Sequence, residues 1–436
     1  MNRLFILLGL VVVFTLTPNH MYAKETSLQT LINRTPKNKT LQLEARVYEG
    51  NIVITKSITL RGVEGTVIKG DGTHNVITVK AQNVVLENFT VTHSGQDRNS
   101  KEEYAGIKVM DNHNTVRDIT ITDSFHGVYL SQAHQNEVSG VDVTGLHKGE
   151  VAGQGNGLHL YYSNQNLLKN NTIKETRDGM FFDYSDSNEI IGNDIQHTRY
   201  GLHYMYSNEN VFTDNRFSFN IGGAAIMQSK GNILKNNEFA LNQGTRSFGL
   251  LLQAANENRV ESNKFYQNQR GIYIDQSQSN DIRKNDVFQN QIGIELWASS
   301  QNQTFTENHF SGNTASVLVL GGKAANKWSE NGRGNDWGTE VSLLDLDHDE
   351  IGDYSVKGQS SLYKLVEENE LAYLFLESPA IHLYEKMNEW TNKQEVMFED
   401  RHPIMSSERS MTAFVVILLG IFTGGGFLLS RRRYRS

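Results

Sequence analysis

One histidine and two methionines are the residues whose types and spacing suggest chemistry first. His203 and Met205 stand two apart, and Met227 follows Met205 by 22 residues. His159 and Asp183 precede His203 by two multiples and just under one multiple of the same step. The chain contains no cysteine, which excludes disulfides, thiolate metal sites and cysteine nucleophiles. Thioether and imidazole are then the remaining soft donors. Thioethers select Cu(I), and imidazole also suits copper. Paired methionines serve adaptable partner-binding surfaces equally well, so both readings stand at this level. A second group is Asp345, Asp347, Asp349 and Asp353. Hard oxygens at i, i+2, i+4 and i+8 suit Ca²⁺, but the glycine and terminal glutamate of an EF-hand loop are missing. A solvated acidic turn fits the same residues.

These side chains need elements to position them, and the sequence supplies a repeat. Glycine followed by apolar-x-apolar recurs at Gly106, Gly127, Gly157, Gly179, Gly201, Gly223, Gly249, Gly271 and Gly293. The step is 22 residues from Gly157 to Gly223 and again from Gly249 to Gly293, with longer steps marking inserted loops. Serine recurs six residues after the glycine (Ser163, Ser185, Ser207, Ser229, Ser277, Ser299). Asparagine recurs nine after it (Asn166 through Asn302) and fourteen after it (Asn171 through Asn285). Short period-2 strands separated by turns, each too small to bury its own apolar face, must stack. Stacked coils about 4.8 Å apart superimpose equivalent positions, and aligned asparagines then form ladders. The fold class expected is all-β: a right-handed parallel β-helix of ~22-residue coils spanning 24–334. No Leu-x-x-Leu-x-Leu framework or 3.6-residue period supports a leucine-rich or helical solenoid.

Within each repeat the residues one and three after glycine point inward, and those two and four after it point outward. The outward series is His159/Tyr161, Phe181/Asp183, His203/Met205, Ala225/Met227, Leu251/Gln253, Tyr273/Asp275 and Glu295/Trp297. It is expected to form one continuous exposed face, with Met227 one coil from Met205 and His159 two coils from His203. Asp178, Asp183, His203, Tyr161 and Arg199 could also supply acid, base and charge neutralisation for a polysaccharide lyase or epimerase. A paired-carboxylate hydrolase is less well served, because Asp183 stands alone in the central coils. His93, His113, His126, His134 and His147 fall in early coils and their loops, where solvated or structural roles are expected.

The two ends suggest an extracytoplasmic protein held at a membrane. Residues 1–23 carry Arg3, an apolar run too short to span comfortably, Pro18 and a terminal Ala23, the pattern of a signal peptide. Residues 411–429 form an apolar run of spanning length, followed by arginines in 430–436 that belong in the cytoplasm. Between them, 335–390 reads as a C-terminal segment with the acidic loop and amphipathic helices, and 391–410 as a polar stalk. A helical plug is expected at 26–34 to cap the first coil. Net charge is -8, which gives no electrostatic case for nucleic acid.

Several stretches resemble the NosD family of accessory proteins for nitrous oxide reductase maturation. They are Arg199-Tyr-Gly-Leu-His-Tyr-Met-Tyr-Ser-Asn-Glu-Asn210, Gly223-Ala-Ala-Ile-Met-Gln-Ser229, Gly249-Leu-Leu-Leu252, Asn335-Asp-Trp337, Ile351-Gly-Asp353 and Ser378-Pro-Ala380. The resemblance runs over roughly residues 27 to 390. It implies a role outside the cytoplasmic membrane in assembling the reductase's multicopper site. The implied partners are an ABC-type transporter (membrane subunit and ATPase), a copper-delivering lipoprotein and the reductase itself. It directs the copper reading to His203, Met205 and Met227, with His159 and Asp183 nearby, and implies no enzymatic step of the protein's own. The alternatives are a metal-free scaffold for the transporter and apo-reductase, or a carbohydrate-active β-helix. The membrane tail departs from a freely soluble periplasmic form, and the acidic loop is poorer in glycine than the family pattern.

Overall fold

The structure is a computed structural model, and it describes residues 26–97, 100–146, 151–244, 246–338, 343–359, 378–381, 383, 387 and 396–405. Its body is a right-handed parallel β-helix. One sheet has 12 strands in chain order, from Ile52–Ile54 to Ala315–Leu320, each paired in parallel with the next. The remaining short strands of the coils form a second, 22-stranded sheet. Alternation decides which side chains enter the core: Leu202 and Tyr204 are fully buried in the interior, while His203 and Met205 lie on the other face. Phe217, Phe239 and Phe265 stack along the axis with centroids 5.2 and 4.8 Å apart.

The repeated glycine has a packing cause. A Cβ on Gly201 would lie 2.6 Å from the carbonyl oxygen of Gly223 in the next coil, and one on Gly271 2.6 Å from that of Gly293. A side chain at either position would collide with that carbonyl. The asparagines solve a different problem, since the turns bury backbone amides that no neighbouring strand reaches. Asn188 donates its backbone N–H (2.7 Å) and its Nδ2 (3.0 Å) to Oδ1 of Asn210, and Asn210 repeats the pattern on Asn232. A second ladder runs Asn171–Asn193–Asn215–Asn237–Asn263–Asn285–Asn308–Asn335. A third, Asn220–Asn242–Asn268–Asn290–Asn313, stands at a corner that the expected pattern did not include.

The expected register fails at the last coil. Gln303, not Asn302, receives the Asn280 amide, and Ser300, not Ser299, receives that of Ser277. One extra residue in this coil shifts the pattern. The coil ends are covered as open strand edges require. At the start, helix Leu28–Arg34 buries Leu28 and Ile32, and Gln29 bonds both the amide and the carbonyl of Val53. At the far end, the 391–410 segment is corrected. Rather than a polar stalk throughout, it contains strand Val396–Asp400, antiparallel to Val356–Gln359. Phe398 packs on Trp328 and Trp337, and buried Asp400 accepts hydrogen bonds from the Asn335 amide and Trp337 Nε1. Met397 and Asp400 are the buried positions of this strand, with Phe398 partly buried against the core, an arrangement that composition alone disguises. Among the described residues no helix is long and apolar enough to cross a membrane. The expected signal peptide, most of the stretch 360–390 that includes the expected amphipathic helices, the span 411–429 and the basic tail lie outside the described residues.

Replacing Asn210 with Leu is expected to strand the buried Asn188 amide and to remove donors from the carbonyls of Ser185 and Asn208. The loss should be about 2–3 kcal/mol, read as a lowered urea midpoint. An unchanged midpoint would show that the ladder carries no stability.

Candidate functional site

Three consecutive strands of the 12-stranded sheet build the site: Asp178–Asp183, Tyr200–Met205 and Gly222–Met227. Their parallel register aligns Phe181 with His203 and Ala225, and Asp183 with Met205 and Met227. Met205 and Met227 are therefore adjacent on neighbouring strands, as the repeat predicts, with Asp183 on the other side of Met205.

His203 is held by charge. Arg199 donates from Nε and Nη2 to the two carboxylate oxygens of Asp178, at 2.8 and 2.6 Å. The His203 Nδ1 lies 3.0 Å from Asp178 Oδ2 and 3.3 Å from Arg199 Nη2; the ionised carboxylate can only accept, which assigns the imidazole proton to Nδ1. Asp178 is 1% exposed. Burial alone would raise its pKa, but the hydrogen bonds from His203 and Arg199 outweigh it and hold the carboxyl below its usual range. The guanidinium also lies 4.5 Å over the Tyr200 ring. A proton fixed on Nδ1 leaves the Nε2 lone pair free, the arrangement by which a carboxylate orients a metal-ligating imidazole. Asp183 is half-buried, and burial raises its pKa against the opposing pull of His203.

The face is not continuously exposed, which corrects the expectation. Ala225, Leu251 and Glu295 are buried on it, and Met227 packs against a satellite apolar cluster of Ala225, Phe248 and Leu251 with Tyr200 and Tyr273. Glu295 is paired there with buried Arg270. Loops and aromatic neighbours cover positions that strand alternation alone directs toward water.

His159 separates from the group. It is 5% exposed, stacks on Tyr129 at 4.6 Å, and meets Phe181 at 4.9 Å. Phe181 in turn lies 4.8 Å from the His203 ring, so an aromatic ring divides the two histidines. On its own side, His159 joins His126 (ring centroids 4.9 Å) and Glu103, whose Oε2 is 3.6 Å from His159 Nδ1. Among the described residues, ligand atoms of Glu103, His126 and His159 lie within 4.8 Å of one another. His126 was expected to be merely structural or solvated, and Glu103 lies in a loop outside the repeat. Asp345, Asp347 and Asp349 also converge within 4.8 Å, on the surface. Asp353 is not among them; its carboxylate accepts from the Leu346 amide. Repulsion from Asp349 raises the Asp347 pKa.

With this geometry established, comparison with known proteins is informative. Residues 141–340 match the family model described as periplasmic copper-binding protein (NosD), and residues 47–220 match a right-handed β-helix region. The chain is 31% identical over 382 residues to a probable ABC transporter binding protein NosD of Pseudomonas aeruginosa, covering 83% of this chain and 87% of that one. A protein of the same name from Stutzerimonas stutzeri is 29% identical over 403 residues, covering 88% and 90%. The chain belongs to the NosD family. Among solved structures, it resembles the A-module of mannuronan C-5 epimerase AlgE4 from Azotobacter vinelandii. That match has a TM-score of 0.54 and 13% identity over 66% of this chain and 91% of that one. The Dettilon tailspike protein gives a TM-score of 0.53, also at 13% identity, over 66% and 63%. These two likenesses establish the fold alone.

The strands that carry the family likeness, 199–210 and 223–229, are the two that place His203, Met205 and Met227. The Asp178–Arg199 pair that orients His203 was legible only as candidate acid and charge. Its positioning role depends on Asp178 lying at the start of the preceding strand, in register with Tyr200.

The buried histidines make a pH prediction for this NosD-family chain. Burial, then the charges of Lys108 and Arg177, lowers the His126 pKa from 6.5 to about 3, and burial also lowers that of His159. The folded form keeps both neutral. Their stabilisation is complete above pH 6.5 and is lost as pH falls toward the folded values. From pH 7 to 5, His126 alone should cost about 2 kcal/mol. Tm should fall over that range, and less steeply in His126→Gln. Parallel Tm curves for the two proteins would contradict the assignment.

Proposed function

We propose that the protein is an extracytoplasmic accessory factor that holds Cu(I) as cargo during assembly of the multicopper site of nitrous oxide reductase. The carrying observation is the pairing of an oriented imidazole with two in-register thioethers. Asp178 fixes the proton of His203 on Nδ1, and Met205 and Met227 stand side by side on the same face. One nitrogen and two sulfurs form a soft set suited to Cu(I), with Asp183 beside Met205 and the apolar cluster around Met227 limiting water. The chain works with an ABC-type transporter, in line with the names of its relatives. The membrane subunit, its ATPase, a copper-delivering lipoprotein and the apo-reductase complete the set of partners. The span at 411–429 would keep the β-helix at the membrane surface beside the transporter.

The carbohydrate-active alternative requires a free cation to neutralise a uronate carboxylate. Arg199, the cation nearest His203 in sequence, is spent on Asp178 in a bidentate pair. That favours an orienting role over substrate charge neutralisation.

Cu(I) titration of the purified full-length chain against a competing chelator tests the proposal. Binding should be lost in the Met205→Ala/Met227→Ala double variant. No competition by the parent chain would leave a metal-free scaffold whose methionines dock a partner. In a separate measurement, Asp178→Asn should weaken Cu(I) binding roughly ten- to a hundredfold, while an unaltered affinity would remove the orienting role of the carboxylate.

A further inference from the structure

We propose that Glu103 and His159 bind a first-row divalent cation in a second, partly buried site, with His126 holding a water molecule of its coordination shell. The observations are independent of the methionine face. His126 and His159 are 4% and 5% exposed, and His126 Nε2 and His159 Nδ1 are buried without a hydrogen-bond partner. Two orphan polar atoms in so small a volume are costly unless something joins them.

The tautomers define what fits. The Asn156 backbone N–H donates to His126 Nδ1 at 2.9 Å, so the His126 proton sits on Nε2. That ring cannot ligate a cation through Nε2 as a neutral imidazole, but it can donate to a bound water. His159 is free to carry its proton on Nε2 and offer Nδ1. That nitrogen and Glu103 Oε2 are 3.6 Å apart, the separation that two ligands at about 2.0–2.1 Å subtend at an angle of roughly 120°. Tyr129, stacked on His159, also faces the Glu103 carboxylate. Lys108 and Arg177 are the opposing charges; the Lys108 ammonium is engaged by the Glu102 carbonyl at 2.6 Å and lies 5.0 Å from the Tyr129 ring. Asp183 adds negative potential from the adjoining column.

Imidazole, carboxylate and water suit borderline cations such as Zn²⁺, whereas the thioether pair selects Cu(I). Phe181 stands between the two groups, so each keeps its own ligand chemistry. The cation would join the loop bearing Glu103 to the strand bearing His159, Leu158–Tyr161.

Zn²⁺ titration of the full-length chain by calorimetry, with Tm measured in parallel, tests this directly. One Zn²⁺ per chain is expected, with a rise in Tm on binding. Glu103→Gln and His159→Gln should each weaken binding at least about tenfold, and His126→Gln should weaken it less. Glu103→Gln is the safer variant for folding, because Glu103 is half exposed, and its Tm in chelator serves as the control. Met205→Ala/Met227→Ala should bind Zn²⁺ as the parent does, so failure of the copper proposal and failure of this one are distinguishable. Absence of Zn²⁺ binding, or binding unaltered in both Glu103→Gln and His159→Gln, would overturn the site.

Discussion

Every feature of this molecule depends on satisfying buried polar groups at the corners of a stacked coil. A coil of about 22 residues turns several times, and each turn hides backbone amides from water. Unpaired, each would cost about 1–3 kcal/mol. The asparagine ladders remove that cost by giving each corner amide an acceptor in the next coil. The solution forces identical registration between coils, because an Oδ1 that serves the next amide cannot slide by a residue. The glycine corner imposes the same registration sterically, since successive glycine carbonyls occupy the space a Cβ would need.

Registration turns a one-dimensional repeat into columns, and the columns make the site. Met205 and Met227 are 22 residues apart in sequence and directly paired in space. Asp178 reaches His203 from the preceding strand for the same reason. A fold that only stacks strands thus assembles mixed donor sets from separate coils without long-range loop closure. It also explains why a carbohydrate epimerase and this chain share an architecture at 13% identity. The fold supplies the array, and the chemistry resides in which side chains occupy one or two columns.

The fold and the His203–Met205–Met227 group were legible in the sequence because both follow the period. Part of the rest lies where the period breaks, and part, such as the Asn220–Asn313 ladder, follows it at a corner the motif did not mark. Glu103 comes from a loop outside the repeat, so no spacing links it to His126 or His159. His159 obeys the period, but its burial depends on Tyr129 and Phe181 closing around it, a packing outcome that alternation does not encode. Gln303 replaces an asparagine after one inserted residue, which hides the continuation of a ladder it still completes. Strand Val396–Asp400 pairs with a segment outside the coils, and its composition resembles a linker until its antiparallel partner is known.

Phe181 sharpens the functional argument. It occupies the column position between His159 and His203, where another histidine would have produced a continuous row of imidazoles. Three adjacent imidazoles would compete for one cation and blur any selectivity. An aromatic hydrocarbon at that position separates a nitrogen–oxygen group, its histidines buried and its carboxylate half exposed, from a nitrogen–sulfur face. If both proposed sites hold metal, soft and borderline cations would be sorted by donor type rather than by affinity alone. Under the proposed cargo role, the thioether face would serve the ion that moves and the imidazole–carboxylate group an ion that stays.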